Sequence, residues 1–403
     1  MKLGIDVMSL KQFIILVLLL NTYSFSGAQT SITLHDSLTA AIEKQSNSIS
    51  KKTQRLASSA DKLAWLDGSP SASLMYLDSQ DSLGTTETEV SLNLPIKSPF
   101  LREVEKSLSS NIEALRVNAQ KQYALYLSGL IRSILWGIRA EEVSAVAVTK
   151  KQEILLALSE QYSDMAAVQA IPRYLSLIVQ KEYNDQKIIL IQHHQNINSL
   201  KAKYQRLTGL RDLPHDITET VPELNLLNVN AHPDVLALDA AYQNTEQSLL
   251  SGSKKATAWN VQVTGKRVET ANYSDNQLGL GIEVPLTIGN KLSNIQQSQY
   301  INATTEYNIA RSKLINQLAD AQATLLQEYE FLKQKQDLLD SGKSNVYALA
   351  AAMQELRGAN APNQEFYLRT LLDTVDSEKD IELNLIQVNR QIALMRQAAG
   401  LTL

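Results

Sequence analysis

The chain has 403 residues, a formal net charge of -4 and no cysteine, which excludes disulfides, thiolate metal sites and lipid attachment through cysteine. The acidic balance argues against a nucleic-acid partner. Only 15 glycines and 9 prolines are present, well below the usual share of about 12% for the two together, so long uninterrupted helices are expected.

Residues 1–28 read as a signal peptide. Lys2 and Lys11 precede the apolar run Phe13 to Leu20, and Ser26-Gly27-Ala28 has the small-x-small form of a cleavage site. The run is too short to span a bilayer; a retained anchor is the alternative. Met8 lies closer to the run than Met1 and is a second candidate start. Cleavage would make Gln29 the first mature residue, remove Lys2, Asp6 and Lys11, and leave a net charge of about -5. The rest of the chain has no apolar run long enough for a transmembrane helix.

Residues 29–210 read as a first structural unit. Thr33 to Trp65 carries apolar residues at helical spacing, and Asp67-Gly68-Ser69-Pro70 breaks it. A β-hairpin over 71–95 follows: a strand from Ser71 to Leu77, a polar turn to Gly84, and a strand from Thr85 to Leu94. In the second strand Val90, Leu92 and Leu94 alternate with Glu89, Ser91 and Asn93. Pro95 closes it, since proline cannot donate to a ladder. A long helix then runs from about Pro99 to a break at 166–172, where Pro172 suits the first turn of a returning helix. Residues 211–230, with Pro214 and Pro222, read as a linker.

Residues 231–403 repeat the order. His232-Pro233-Asp234 opens a helix to about Leu250, and a hairpin spans 258–286, with a first strand from Ala258 to Val268, a loop over Glu269 to Asn276, and a second strand from Gln277. There Leu278, Leu280, Ile282 and Val284 share one face and Glu283 lies on the other. After Pro285 the period changes. Tyr300, Ala303, Tyr307, Ala310, Leu314, Leu318, Ala321 and Leu325 form a coiled-coil-like seam. The helix continues to a break at 357–362, containing Arg357, Gly358, Asn360 and Pro362, and a returning helix ends near Gly400. A helix of about 70 residues is about 100 Å long, more than a compact domain uses.

The two units keep one register. Pro95 and Pro285 are 190 positions apart, as are Pro172 and Pro362, while Gly209 and Gly400 are 191 apart. The chain is therefore a tandem duplication of helix, β-hairpin and long helical hairpin. Its four strands have the length of tilted transmembrane strands. Four cannot close a barrel, and an open edge cannot sit in lipid. Either the hairpins are soluble, or several chains pool their strands; three chains would supply twelve.

This order resembles the TolC-like outer-membrane efflux protein family over about Leu34 to Leu401. The resemblance rests on Leu92-Asn93-Leu94-Pro95, Glu283-Val284-Pro285-Leu286, the Arg357-Gly358 tip, the helix from Pro362, Ala399-Gly400-Leu401 and His232-Pro233-Asp234. It implies a mainly α protein with a membrane β-barrel: a homotrimer with a 12-stranded barrel in outer-membrane lipid above a periplasmic α-helical tunnel. It implies an exit duct in a tripartite efflux or type I secretion system, fed by an inner-membrane pump of RND, ABC or MFS type through a periplasmic adaptor. Neither an enzyme nor a cofactor is implied. Thr287-Ile288-Gly289-Asn290 and Lys97-Ser98-Pro99-Phe100 depart from the family pattern. Where some relatives carry two pore-lining aspartates, this chain has Gln364 and Tyr367, with Asp373 and Asp376 two turns further on.

Three sets of site residues follow. Asp164, Ala166, Ala167 and Pro172, with Arg357, Gly358, Asn360 and Pro362, are candidates for a periplasmic tip gate, where small side chains let helices converge and an Arg357–Asp164 pair could lock it. Gln364, Tyr367, Asp373 and Asp376 are pore-lining candidates. Glu89, Ser91, Asn93 and Glu283 are candidates for a polar barrel lumen. His193-His194 point in different directions on a helix, and His35, His215 and His232 lack a partner at ligand spacing, so no metal is expected. Tyr300 and Tyr307 read as seam packing. A soluble periplasmic coiled-coil scaffold or adaptor is the alternative function.

Overall fold

The computed structural model describes residues 32–57, 65–81, 84–222, 229–251, 258–285, 293–356 and 364–403. The signal peptide, part of the linker, residues 286–292 after the last strand and the second tip at 357–363 lie outside the described residues. The first unit comprises α1 (Leu34–Ala57), β1 (Ser71–Asp78), β2 (Thr86–Ile96), α2 (Pro99–Ala167) and α3 (Arg173–Thr208). The second comprises α4 (Pro233–Ser251), β3 (Trp259–Thr270), β4 (Tyr273–Glu283), α5 (Asn294–Leu356) and α6 (Gln364–Ala398). The duplication read from the prolines and glycines is thus a duplication of element order.

Local chemistry sets the helix ends. At α1 the Thr33 hydroxyl accepts from the Asp36 amide at 3.1 Å while the Asp36 carboxylate accepts from the Thr33 amide at 2.9 Å, a reciprocal cap. At α2 the Ser98 hydroxyl accepts from the Leu101 amide and Pro99 takes the first turn. The two returning helices stop alike, at Gly209 with φ +85° and Gly400 with φ +78°, a left-handed conformation that a Cβ disfavours. α2 and α5, of 69 and 63 residues, are each about 100 Å long at 1.5 Å per residue.

The four strands form one antiparallel sheet in the order β1-β2-β3-β4. The β2–β3 ladder joins the two units, leaving β1 and β4 as open edges. The loop expected over Glu269 to Asn276 is instead sheet: β3 runs to Thr270, Ala271 and Asn272 alone make the turn, and β4 starts at Tyr273. The polar run Ser274-Asp275-Asn276 shows no strand pattern by itself. It is held by pairing with Val268, Arg267 and neighbours, in a sheet that buries neither face deeply, so pairing overrides propensity.

Two cores hold the helices. About midway along α2, Leu38 and Ala41 of α1 meet Leu127, Ile131, Leu135 and Trp136 of α2, Tyr204 of α3, Ile217 of the linker and Ala393 of α6. Near the tips, Leu155, Leu158 and Tyr162 of α2 and Leu175 and Val179 of α3 pack on Met353, Tyr367, Leu368 and Leu371 of the second hairpin. Burial pushes the Tyr162 phenol up to about 12, with the nearby Tyr367 phenol adding to it. Most of the seam residues of α5 are half-buried, and Tyr300 and Tyr307 end in polar contacts to α4: Tyr300 donates to Glu246 at 3.0 Å and Tyr307 to Asp239 at 2.8 Å. Among the described side chains of α5 only Met353 is buried; one face is half-buried against α4 and α6 and the rest is exposed.

Candidate membrane sheet and duct

Residues paired across an antiparallel ladder share a face, and the register sorts the sheet into two unlike faces. One carries the rows Leu94, Val261, Ile282; Ala72, Leu92, Val263, Leu280; and Leu74, Val90, Gly265, Leu278. This apolar face is open: Leu278 is 87% exposed, Leu280 82% and Leu74 73%. Burying a side chain of this size is worth about 1.5–3 kcal/mol, so leaving Leu74, Leu278, Leu280 and Ile282 in water forgoes on the order of 10 kcal/mol. Tyr76 and Trp259 stand on this face beyond either end of the three rows, where amphipathic rings favour a bilayer interface.

The opposite face is mostly polar, with Met75, Leu77, Val268 and Tyr273 on it towards the loop end. It carries Ser71 and Ser73; Glu87, Glu89, Ser91 and Asn93; Asn260, Gln262, Thr264 and Lys266; and Asp275, Gln277 and Glu283. All four lumen candidates, Glu89, Ser91, Asn93 and Glu283, fall here. Ser91 is buried and shares a 2.6 Å hydrogen bond with Ser73 across the ladder. Lys266 pairs with Glu87 at 2.6 Å.

The two ends of the sheet also differ. Ser71, Ile96, Trp259 and Glu283 all lie at the end from which the helices depart; the other end has only the short connections 79–85 and 271–272. The entering chain is pinned there, with Leu66 bridging Ile96 and the Lys97 amide donating to the Trp65 carbonyl at 3.0 Å. No helix among the described residues is long and apolar enough to cross a membrane. The sheet is the surface suited to lipid.

The tip residues are placed in part. At the first tip Asp164 and Ala167 are exposed and Ala166 is half-buried. The Val168 amide donates to the Asp164 carbonyl, Gln169 turns the chain at φ +58°, and exposed Pro172 caps α3. Arg357, Gly358, Asn360 and Pro362 lie outside the described residues, as does the side chain of Gln364, which opens α6. Tyr367 is buried between helices of its own chain. Asp373 is exposed on the opposite side of α6. Asp376 is half-buried and accepts from Lys151 at 2.6 Å and Lys379 at 2.8 Å. Burial pushes its carboxyl up, but the two ammonium groups outweigh this and hold it below the usual carboxylate range. Beside it Lys150 pairs with Glu378, so these charges tie the two hairpins together.

The sequence reading missed a polar junction midway along α2. Arg132 of α2 is 3% exposed and forks onto Glu219 of the linker at 2.8 and 2.7 Å, and also reaches Gln397 and the Leu401 carbonyl. Arg396 of α6 reaches the same carboxylate at 2.9 Å. The signal was present: an arginine among the inward residues Ile131 and Leu135 must find an anion. His232 is buried against Gly400, its Nδ1 accepting from the Asp234 amide at 3.2 Å. Burial lowers the imidazole below its ordinary value, partly offset by Asp234. His193 pairs with Glu141 at 2.6 Å in the groove between α2 and α3. Among the described residues no group of three or more His, Cys, Asp or Glu could hold a metal ion.

Comparison of the sequence with family models and with curated proteins gives no match. Solved structures do match. The outer membrane protein VceC from Vibrio cholerae superposes with a TM-score of 0.66 at 12% identity, over 91% of this chain and 96% of that one. The CmeC outer membrane channel of Campylobacter jejuni gives 0.67 at 11%, over 92% and 86%. The MtrE outer membrane channel of Neisseria gonorrhoeae, in its open state, gives 0.61 at 11%, over 91% and 89%. The chain has the fold of TolC-like outer-membrane channels, end to end rather than in one module.

Proposed function

We propose that three copies of this chain pool their strands into a 12-stranded outer-membrane barrel, and that the helices continue from it as a periplasmic duct. In this reading the chain is the exit duct of a tripartite efflux or type I secretion system, receiving substrate from an inner-membrane pump through a periplasmic adaptor. The observation that carries the reading is the sheet: one face apolar and exposed, one polar, two edges unpaired, and every helix leaving from one end. β2 has 11 residues; at about 3.4 Å each and tilted about 45° it rises about 26 Å, close to the hydrocarbon thickness of about 30 Å. Lipid on the apolar face and neighbouring strands on the edges supply what a lone chain leaves open. A soluble scaffold or adaptor would leave that face in water. Membrane fractionation tests this. The duct reading expects the protein in the detergent-extracted outer membrane; release with the soluble periplasm would refute it.

A further inference from the structure

We infer that the barrel lumen of this protein favours cationic over anionic solutes, through the uneven charge on the polar face of its sheet. The inference rests on the duct reading and adds the charge class of what passes. Ladder register places Glu87, Glu89, Asp275 and Glu283 on that face, against Lys266 as its single basic residue. The acids are spread along the wall: Glu87, Glu89 and Asp275 towards the loop end, Glu283 at the helix end, with Ser73, Ser91, Asn93, Gln262 and Thr264 between them. Lys266 is committed to Glu87 at 2.6 Å. Each chain therefore presents three uncompensated acidic charges to the lumen, repeated by every copy that closes the barrel. The connections beyond them are the two-residue turn Ala271-Asn272 and the short segment 79–85, too short to fold a basic lid across the mouth.

Fixed charge of one sign on a low-dielectric wall concentrates counterions and repels co-ions. A lumen potential of about one kT gives a cation-to-anion preference of roughly sevenfold. Screening shortens the reach of the wall from about 10 Å at 0.1 M salt to about 3 Å at 1 M, so the preference should fade as salt rises. Anionic solutes would need the pump to drive them against this field, whereas cationic and neutral ones would not.

The experiment is the reversal potential of the full protein in planar bilayers under a KCl gradient, at low and at high salt. Wild type should pass potassium over chloride at low salt and lose most of that preference at high salt. Glu87→Gln, Glu89→Gln and Glu283→Gln together leave Asp275 and Lys266 balanced and should bring the preference close to one. Lys266→Gln should move it the other way. Channels with no preference, or with a chloride preference unmoved by these changes, would overturn the inference and leave the duct standing. Release of the protein with the soluble periplasm in the fractionation above would overturn both.

Discussion

Gly209 and Gly400 share a role and differ in their surroundings. Both end a returning helix in the left-handed region, where a side chain costs about 1–2 kcal/mol. A Cβ at Gly209 would meet only the flexible Lys44 chain at 3.6 Å, while one at Gly400 would lie 2.6 Å from Pro233 Cδ and 2.9 Å from His232 Cδ2, both in rigid rings. Gly400→Ala should therefore lower the thermal midpoint clearly more than Gly209→Ala; equal shifts would mean that the His232-Pro233 contact carries no weight. Glu219 gives a second test. Its carboxylate, 7% exposed, pairs with Arg132, 3% exposed, and with the partly exposed Arg396, and removing one partner of a buried pair costs about 3–5 kcal/mol. Glu219→Gln should show that loss in urea unfolding. His232 gives a pH dependence. Its folded-state value lies below the ordinary 6.5, so the unfolded chain binds the proton first. Its contribution to stability is complete above the ordinary value of 6.5 and is lost as pH falls from there through the lower folded-state value. Wild type should lose thermal stability between neutral and mildly acid pH, and His232→Gln should flatten that part of the profile.

Elements were legible where one local rule governed them. The strand β2 showed itself through strict alternation ended by Pro95, and the long helices through a seam free of proline. The start of β4 was hidden because Ser274, Asp275 and Asn276 become strand only by pairing with β3, a contact that no local pattern encodes. Lipid contact at this scale has its own test. Leu280 stands mid-band on the exposed face, and Arg there should cost about 2–4 kcal/mol near the bilayer midplane. The readout is a lower melting temperature of the outer-membrane protein, with Gly281→Ser on the polar face as the tolerated control. At the tips the proposed lock pairs Arg357 with Asp164. Arg357→Ala and Asp164→Ala should each raise single-channel conductance; unchanged conductance in both would exclude it.

For the whole molecule, the duplication, the helical hairpins and the two-faced sheet could be read from 190-residue offsets and from periods of two and about three and a half. The candidate site was legible as far as face: Glu89, Ser91, Asn93 and Glu283 do share one polar wall. Partners across 80 or more residues were not, because Arg132 finds Glu219, and Lys151 finds Asp376, only after the hairpins pack. The open edges of β1 and β4 and the exposed outer face of α5 are what three copies would cover. Native mass spectrometry of the protein extracted from outer membranes into mild detergent tests this most directly. A pooled barrel predicts a stable species with the mass of three mature chains; a stable monomer under those conditions would contradict it.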